Sequence, residues 1–246
     1  MESVCFTTEN MAQLYRGQYR ADVDSRDLAM YTPDDAACYL GIHPKTLSTW
    51  LWGRTYHTTS GEALFEPLIR PADPDNKLLS FFNLAELHVL AATRYKHKVP
   101  LHSVRAAVSS IEKQINHPHP LISKDFMTNG ADLFVKSVAE TENLSHPGQL
   151  NFKGIMDQFI RHVVADERDL IKKIFPLIAG QPDDHIISIT YGISSSQPAI
   201  EDSGVPVWLI HSRNAAGEPV ESIAEDFDLP IPKIQRAINF FEQRPT

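Results

Sequence analysis

Residues 32–54 read TPDDAACYLGIHPKTLSTWLWGR, and this stretch decides the fold of the first half of the chain. Small alanines let two helices cross closely, a glycine at the turn can take a positive φ, and spaced apolar residues fill the seam between the helices. The stretch therefore predicts a helix-turn-helix. Its defining positions are Ala36, Ala37, Leu40, Gly41, Ile42, Leu47 and Trp50.

The same pattern occurs a second time, in GEPVESIAEDFDLPIPKIQRAINFF at residues 217–241. The turn position is Asp228 instead of glycine, and aspartate tolerates left-handed backbone better than most residues. Two copies in one chain favour a regulator. The matching positions are Ile223, Ala224, Phe227, Asp228, Leu229, Ile234 and Ala237.

The residues at the helix boundaries support the first copy. Thr32 can cap the first helix, Pro33 presets its φ, and Asp34 and Asp35 place negative charge at the positive end of the helix dipole. His43-Pro44 opens the second helix, which we expect to end near Gly53.

Patterning along the rest of the chain predicts further short elements. They are a β-hairpin within 54–80, helices in 81–98 and 100–115, a hairpin at Asn129-Gly130, an amphipathic helix over 151–164 whose apolar face includes Val163, and strand-like runs at 185–190 and 205–210.

These elements predict a mainly α fold with small β-hairpins, that is, an α+β protein. We expect four parts: an N-terminal arm (1–30), a winged helix-turn-helix (31–115), a hairpin with connecting helices (116–180), and a small C-terminal domain (181–246) with short strands and the second helix-turn-helix.

Composition predicts a cytoplasmic protein with no disulfide framework and no membrane segment. Only Cys5 and Cys38 are present, no apolar run is long enough to cross a bilayer, and the first residues lack the layout of a signal peptide.

The net charge of −8 is unevenly distributed. Residues 181–246 hold 4 Lys and Arg against 10 Asp and Glu, a net −6, whereas residues 1–125 hold 13 against 14. From Leu40 to Gly61 there are two basic residues and no acid. Because DNA affinity depends on neutralising phosphates, we expect the first helix-turn-helix to approach DNA and the second to be repelled.

In the first copy, the second helix (44–52) should bury Leu47 and Trp50 and expose a face suited to the major groove. The exposed face would carry Lys45, Thr46, Ser48 and Thr49. The alternative is a helix-turn-helix kept for packing or for protein contacts. A basic run at Arg94, Lys96, Lys98 and Arg105 can likewise be read as a second contact or as a solvated face.

No metal, cofactor or catalytic signature is evident. His117 and His119 form an H-P-H pair without the Cys or carboxylates that complete a tetrahedral site, so we interpret them as loop histidines. Neither a phosphate-binding glycine loop nor a nucleophile motif occurs, so we expect the protein not to be an enzyme.

The order helix, turn, helix, hairpin, then LSFFNLAELHVLAATRYKHKVPLHSVRAAV resembles the winged helix-turn-helix of MerR-type regulators. The stretch from Ile186 to Ile238 resembles a small domain found in antitoxins, and residues 30–240 together are similar to the larger VapB-like antitoxins. The resemblance implies a PIN-type ribonuclease toxin as partner and repression of the shared operon. It also implies that Arg54, Tyr56, His57 and Arg70 belong to a DNA-contacting wing, although they can equally be solvated loop residues. A MerR-like regulator without a toxin, or a pure interaction module, is the alternative.

Two interaction surfaces are expected beyond the DNA interface. An RNA-binding ribonuclease presents basic residues, so we place toxin binding on the acidic C-terminal quarter, with segment 126–180 as the competing site. The toxin-binding residues of the C-terminal quarter would be Trp208, Glu221, Glu225, Asp226 and Phe241. The spacing of Phe227 and Phe240 assigns these two residues to the core. Recognition of a palindromic operator predicts a homodimer, with contacts through the runs 186–190 and 205–210.

Overall fold

A computed structural model describes residues 24–58, 61–92, 101–126, 136–137, 161–178 and 184–242. The first half begins with a 3-10 turn at Ser25–Asp27 and continues with short strands, helices and a hairpin. In chain order these are β1 (Ala29–Tyr31), α1 (Pro33–Leu40), α2 (Pro44–Trp52), β2 (Arg54–Thr58), β3 (Gly61–Phe65), β4 (Leu79–Ser80), α3 (Phe81–Ala91) and α4 (Leu101–Gln114).

The second half is an antiparallel sheet followed by three helices. The elements are β5 (Val163–Ala165), β6 (Ile171–Ile174), β7 (Ile187–Thr190), β8 (Pro198–Ile200), α5 (Val207–Ala215), α6 (Val220–Phe227) and α7 (Ile231–Glu242). The strands lie in the order β5-β6-β7-β8, and β1-β4 and β2-β3 form two further two-stranded sheets. The predicted α+β class, with an N-terminal helix-turn-helix, is confirmed.

Helix α3 lies at the centre of the core. All eleven of its residues are buried, including the polar Asn83, Glu86 and His88. The helix contacts α1, β1 and the 3-10 turn on the N-terminal side, and it contacts β6 in the C-terminal sheet. Because its residues are buried on every side, α3 lies inside the core and joins the two halves.

The C-terminal sheet has one apolar and one polar face. Ile174 pairs with Ile189, and Ile187 with Ile200, so these isoleucines share the face that packs into the core. The sheet contains strands from both sides of residue 180, where the sequence analysis placed a domain boundary.

Two predicted elements differ from the structure. Residues 205–210 were expected to form a strand, but α5 begins at Val207, and only Pro206 makes an isolated bridge, to Ala199. Val163 was placed on a helix face and instead begins β5. The rest of that helix, at 151–160, and the hairpin expected at Asn129-Gly130 lie outside the described residues.

The runs expected to join two copies, 186–190 and 205–210, contain no unpaired strand. Strand β7 lies between β6 and β8, so both of its edges are already paired, and residues 207–210 are helical. Neither run therefore offers a free strand edge to a second copy. Among the residues that the structure describes, no helix is long and apolar enough to cross a membrane.

Candidate nucleic-acid interface

The first helix of the N-terminal pair is fixed by its end residues. Thr32 Oγ1 accepts a hydrogen bond from the Asp35 backbone N–H at 3.1 Å, and the Asp35 carboxylate accepts one from the Thr32 N–H at 3.0 Å. This reciprocal capping satisfies two amides that a helix start leaves unpaired. Gly41 ends the helix with φ +61°, as the sequence predicted.

Helix α2 presents a narrow polar face to solvent. Leu47, Trp50 and Leu51 are each at most 1% exposed, so they fix the helix against the core. Lys45 and Ser48 are exposed on the opposite face. The predicted orientation of this helix is therefore the observed one.

The two threonines of α2 are half-buried at the margins of that face. Thr49 donates its hydroxyl proton to the Lys45 carbonyl oxygen at 2.9 Å, which leaves the hydroxyl oxygen of Thr49 as an acceptor. Before the helix, His43 Nδ1 accepts the Lys45 backbone N–H at 3.1 Å and caps α2. Lys45 and Ser48 are thus the principal donors available to a ligand, and Thr46 and Thr49 are secondary.

The hairpin β2–β3 follows α2 as a wing. Its register pairs Arg54 with Phe65 and His57 with Glu62. Because side chains alternate along a strand, Arg54 and Tyr56 lie on one face and His57 on the other. All three are exposed, and Tyr56 is 43% exposed. His57 Nδ1 lies 3.8 Å from Glu62 Oε1, so an acid accompanies this position at the wing tip.

Arg70 lies in the loop beyond the wing and is exposed. Asn83 donates its side-chain N–H to the Arg70 carbonyl at 3.0 Å and accepts the Ala72 N–H at 2.8 Å, which holds the loop against α3. Within the described part of the chain, Lys45, Arg54 and Arg70 form no ion pair with an acid, so their charges are available to a ligand. Arg105 differs, because it pairs with Glu66 at 2.7 Å and stacks over Phe65.

The C-terminal helix pair repeats the geometry of the first copy. Asp228 has a φ of +52°, close to the φ of +61° at Gly41. After the turn, the Leu229 N–H donates to the Ala224 carbonyl oxygen at 3.0 Å. In the first copy, the Ile42 N–H donates to the Ala37 carbonyl oxygen at 2.9 Å. The turn of the second copy therefore has the same geometry as the turn of the first.

The side chains of the second copy differ from those at the equivalent positions of the first. The positions equivalent to Lys45 and Ser48 hold Pro232 and Gln235. Arg236, equivalent to Thr49, is 9% exposed and its Nε donates to Asp184 at 2.9 Å. Lys233, equivalent to Thr46, is half-buried and has no acidic partner among the described residues, so the second copy keeps one such cation beside the exposed acids of α6, in agreement with the charge distribution of the sequence.

The residues expected at a toxin contact differ in their exposure to solvent. Glu221, Glu225 and Asp226 are exposed on α6, and Trp208 is half-buried on α5. Phe241 is 6% exposed and contacts the Phe240 ring at 5.1 Å, so it belongs to the core and cannot serve as a surface anchor. Phe227, which spacing assigned to the core, is half-buried beneath the Arg213 guanidinium.

The structure also contains two buried polar clusters that the sequence analysis missed. His119 was interpreted as a loop histidine, but its Nδ1 lies 3.0 Å from Glu86 and its Nε2 lies 3.0 Å from Asp27. Burial lowers the pKa of His119, but its hydrogen bonds to Asp27 and Glu86 outweigh this effect and raise the pKa to about 9. His119 is therefore an imidazolium that links the start of the chain to α3.

The second cluster is centred on Arg26, which is 3% exposed. Its guanidinium donates to Asp24, Asp166 and the Ile171 carbonyl, so it ties the first turn to the edge of the C-terminal sheet. No short-range pattern could have revealed Asp166 and Ile171 as partners, because 140 and 145 residues separate them from Arg26. Among the described residues, no group of three or more His, Cys, Asp or Glu is arranged to hold a metal ion.

The helix-turn-helix and the hairpin that follows it, with Lys45, Arg54 and Arg70 exposed, define a helix-turn-helix protein of the DNA-binding type. Comparison with family models agrees: residues 29–108 match a model described as "Putative DNA-binding HTH domain". Residues 187–241 match a second model, described as "Protein of unknown function (DUF433)".

Comparison with whole proteins shows similarity to an antitoxin. The chain is 26% identical over 231 residues to "Putative antitoxin VapB45" of Mycobacterium tuberculosis, and the match covers 87% of this chain and 94% of that protein. The fold is also that of the crystal structure of Rv2018 from Mycobacterium tuberculosis, with a TM-score of 0.62, 23% identity, and coverage of 87% of this chain and 100% of that one. The chain is therefore similar over most of its length to a putative antitoxin, and its N-terminal part matches a helix-turn-helix model.

Proposed function

We propose that this protein is the antitoxin of a type II toxin–antitoxin pair and represses its own operon by binding operator DNA. Helix α2 lies in the major groove with Lys45 and Ser48 toward the base edges and phosphates, flanked by Thr46 and Thr49. Arg54, Tyr56, His57 and Arg70 contact the backbone or the minor groove. The observation that carries the DNA contact is the exposed α2 face, whose Lys45 lacks an acidic partner within the described residues.

The partner proposed for the C-terminal part is a PIN-type ribonuclease. The similarity to "Putative antitoxin VapB45" supports an antitoxin, and the acidic C-terminal quarter supports a basic, RNA-binding partner. Glu221 and Glu225 are exposed one helical turn apart on α6, so they form one acidic edge. Trp208 and Asp226 lie beside this edge in our proposal, whereas the buried Phe241 is not part of the contact.

We further propose that the protein acts as a homodimer in the cytoplasm, because a single α2 covers only a half-site of a palindromic operator. With β7 paired on both edges, the surface that joins the two copies must be a face other than a β7 edge.

The deciding experiment is co-expression of the full chain with the product of the adjacent gene, followed by size-exclusion chromatography. We expect a stable complex and survival of cells that express the toxin. A double variant, Glu221→Lys with Glu225→Lys, should lose the complex because it replaces the acidic edge with like charge toward a basic partner. A matched control, Asp75→Lys with Glu167→Lys, reverses two exposed acids elsewhere and should keep it.

The outcomes separate the hypotheses. Absence of any complex with the adjacent gene product would sink the antitoxin assignment and leave a MerR-like regulator without a toxin. A complex that survives the Glu221 and Glu225 reversal would confirm the partner and move the contact away from α6.

A further inference from the structure

A cavity of about 280 Å³ opens on the face of the C-terminal sheet opposite Ile174, Ile187 and Ile189. Lys173 pairs with Thr190 across β6 and β7, and Ser188 pairs with Ala199 across β7 and β8, so these residues share that face. The cavity is lined by Lys173, Ser188, Thr190, Ile193, Ala199, Ile200 and residues 201–204. None of them takes part in the DNA or toxin contacts proposed above.

Two of the lining residues form an ion pair, between the Lys173 ammonium and the Glu201 carboxylate. The two side chains are only 21% and 18% exposed. Ser188 also bonds to Glu201, and its hydroxyl lies 3.4 Å from the hydroxyl of Thr190. Burial raises the pKa of Glu201, but hydrogen bonds from Lys173 and Ser188 outweigh this effect and lower it, which favours the carboxylate form of Glu201.

This pair retains hydrogen-bonding capacity. An ammonium has three N–H donors and a carboxylate has about four acceptor positions, so one contact between them leaves donors and acceptors side by side. Their charges cancel, and Asp202 at the cavity wall adds negative charge. An anionic ligand would be repelled by Glu201 and Asp202, and a cationic ligand would compete with Lys173.

The rim of the cavity is preformed. The Ser194 hydroxyl donates to the Gly204 carbonyl and ties together the two loops that border the opening. Ser194, Ser195 and Ser196 all have positive φ, and non-glycine residues hold such a conformation only where their surroundings impose it. A rim fixed in this way keeps the cavity open without a ligand. The loops then lose less conformational entropy when a ligand binds.

We propose that this cavity binds a small neutral ligand through an amide edge. The ligand's carbonyl oxygen accepts a hydrogen bond from Lys173, and its adjacent N–H donates to Glu201. The volume lies just below the usual range of ligand pockets, which limits the ligand to about the size of a pyrimidine base or one amino acid. Two sources offer this edge: a lactam base such as uracil, and a carboxamide such as that of glutamine. Binding of such a ligand does not depend on the function proposed above.

The test uses the full-length, ¹⁵N-labelled protein titrated with 1-methyluracil and with glutamine, and followed by amide chemical shifts. Each probe has a matched control that keeps the shape and loses the edge: 1,3-dimethyluracil lacks the N–H, and glutamate carries a carboxylate. We expect at least one amide probe to shift resonances within 188–204 at millimolar concentration, while its control leaves them unchanged. A response to 1-methyluracil alone identifies a base, and a response to glutamine alone identifies an amino-acid amide.

Variants place the response in the cavity. Glu201→Gln should weaken binding of the responding probe at least tenfold, and Ser203→Phe, at the exposed mouth, should block it without touching the ion pair. Lys172→Met, one residue from Lys173 but on the other face of β6, should bind as the unaltered protein does. Absence of a response to both amide probes, equal responses to the controls, or full binding by the Ser203→Phe protein would overturn the proposal.

Discussion

The hydroxyl of Tyr31 donates a hydrogen bond of 2.7 Å to the carbonyl oxygen of Ser196, which lies 165 residues further along the chain. Tyr31 ends β1, directly before the first helix-turn-helix, and Ser196 lies in the left-handed turn before β8. Both residues are buried. Together with the contact between the Phe81 and Tyr191 rings at 5.6 Å, this bond joins the N-terminal half to the C-terminal sheet.

Replacing Tyr31 with Phe removes that bond and leaves the buried Ser196 carbonyl without its partner. We expect the free energy of unfolding to fall by about 1–3 kcal/mol. Thermal and urea denaturation would measure the change. Tyr56→Phe, at an exposed tyrosine of the wing, is the matched control and should be neutral. Equal stability of the two variants would mean that the Tyr31 bond does not hold the halves together.

Replacing Gly41 with Ala should be more costly than an ordinary glycine substitution. Gly41 has φ +61°, and a Cβ there would meet Ile178 Cγ2 at 2.7 Å. Gly217 also has a positive φ, +90°, but a Cβ there would meet nothing within 4 Å, so Gly217→Ala isolates the backbone cost. We expect Gly41→Ala to lose at least about 1 kcal/mol more than Gly217→Ala, through steric crowding. Similar melting temperatures for the two proteins would contradict this.

The pKa of His119, raised to about 9, predicts a loss of stability in alkali. In the unfolded chain the pKa of His119 is about 6.5, so the folded state binds the proton more tightly. This proton contributes up to about 3 kcal/mol to the free energy of unfolding. The contribution is complete below pH 6.5 and is lost as the pH rises to 9. Urea titrations at several pH values would measure it. His119→Gln should be less stable than the unaltered protein at pH 6 and should lose this slope. A His119→Gln protein with the same slope would place the titration elsewhere.

His88 predicts the opposite trend in acid. Complete burial, with a smaller effect of the charge of His162, lowers the pKa of His88 to about 3. The folded state therefore keeps His88 neutral, and its contribution is fully present above pH 6.5 and is lost as pH falls toward 3. His88→Gln should flatten the stability profile between pH 6.5 and pH 4, whereas His57→Gln, at an exposed histidine, should not. If both variants keep the acid slope, burial of His88 is not its cause.

Changing Lys45 and Arg54 together to Ala should weaken operator binding at least tenfold, which is about 1.4 kcal/mol or more. The slope of log affinity against log salt should also fall by about 0.9 for each phosphate that is no longer neutralised. Fluorescence anisotropy at two salt concentrations measures both quantities. Arg161→Ala with Lys172→Ala removes two exposed cations elsewhere in the chain and should change neither. Equal losses in the two double variants would point to a general charge effect instead of an interface at α2.

Most of the DNA-facing half could be predicted from the sequence because its signals are local. Thr32 and Pro33 start α1, Gly41 ends it, and Leu47 and Trp50 fix which side of α2 is exposed. Each signal acts within about one helical turn, so neighbouring residues suffice to predict it. The repeat at 220–242 followed from the same spacing, even with Asp228 at the turn.

The tertiary structure decided what local signals leave open. The apolar run at 205–210 is too short for periodicity to separate strand from helix, and the helix forms because Val207 and Ile210 pack into the core beside β8. The sequence determined two helix-turn-helix units and the sign of their charge. Only the fold brought His119 between Asp27 and Glu86, and Lys173 beside Glu201, because pairs between distant residues depend on long-range packing that local pattern does not encode.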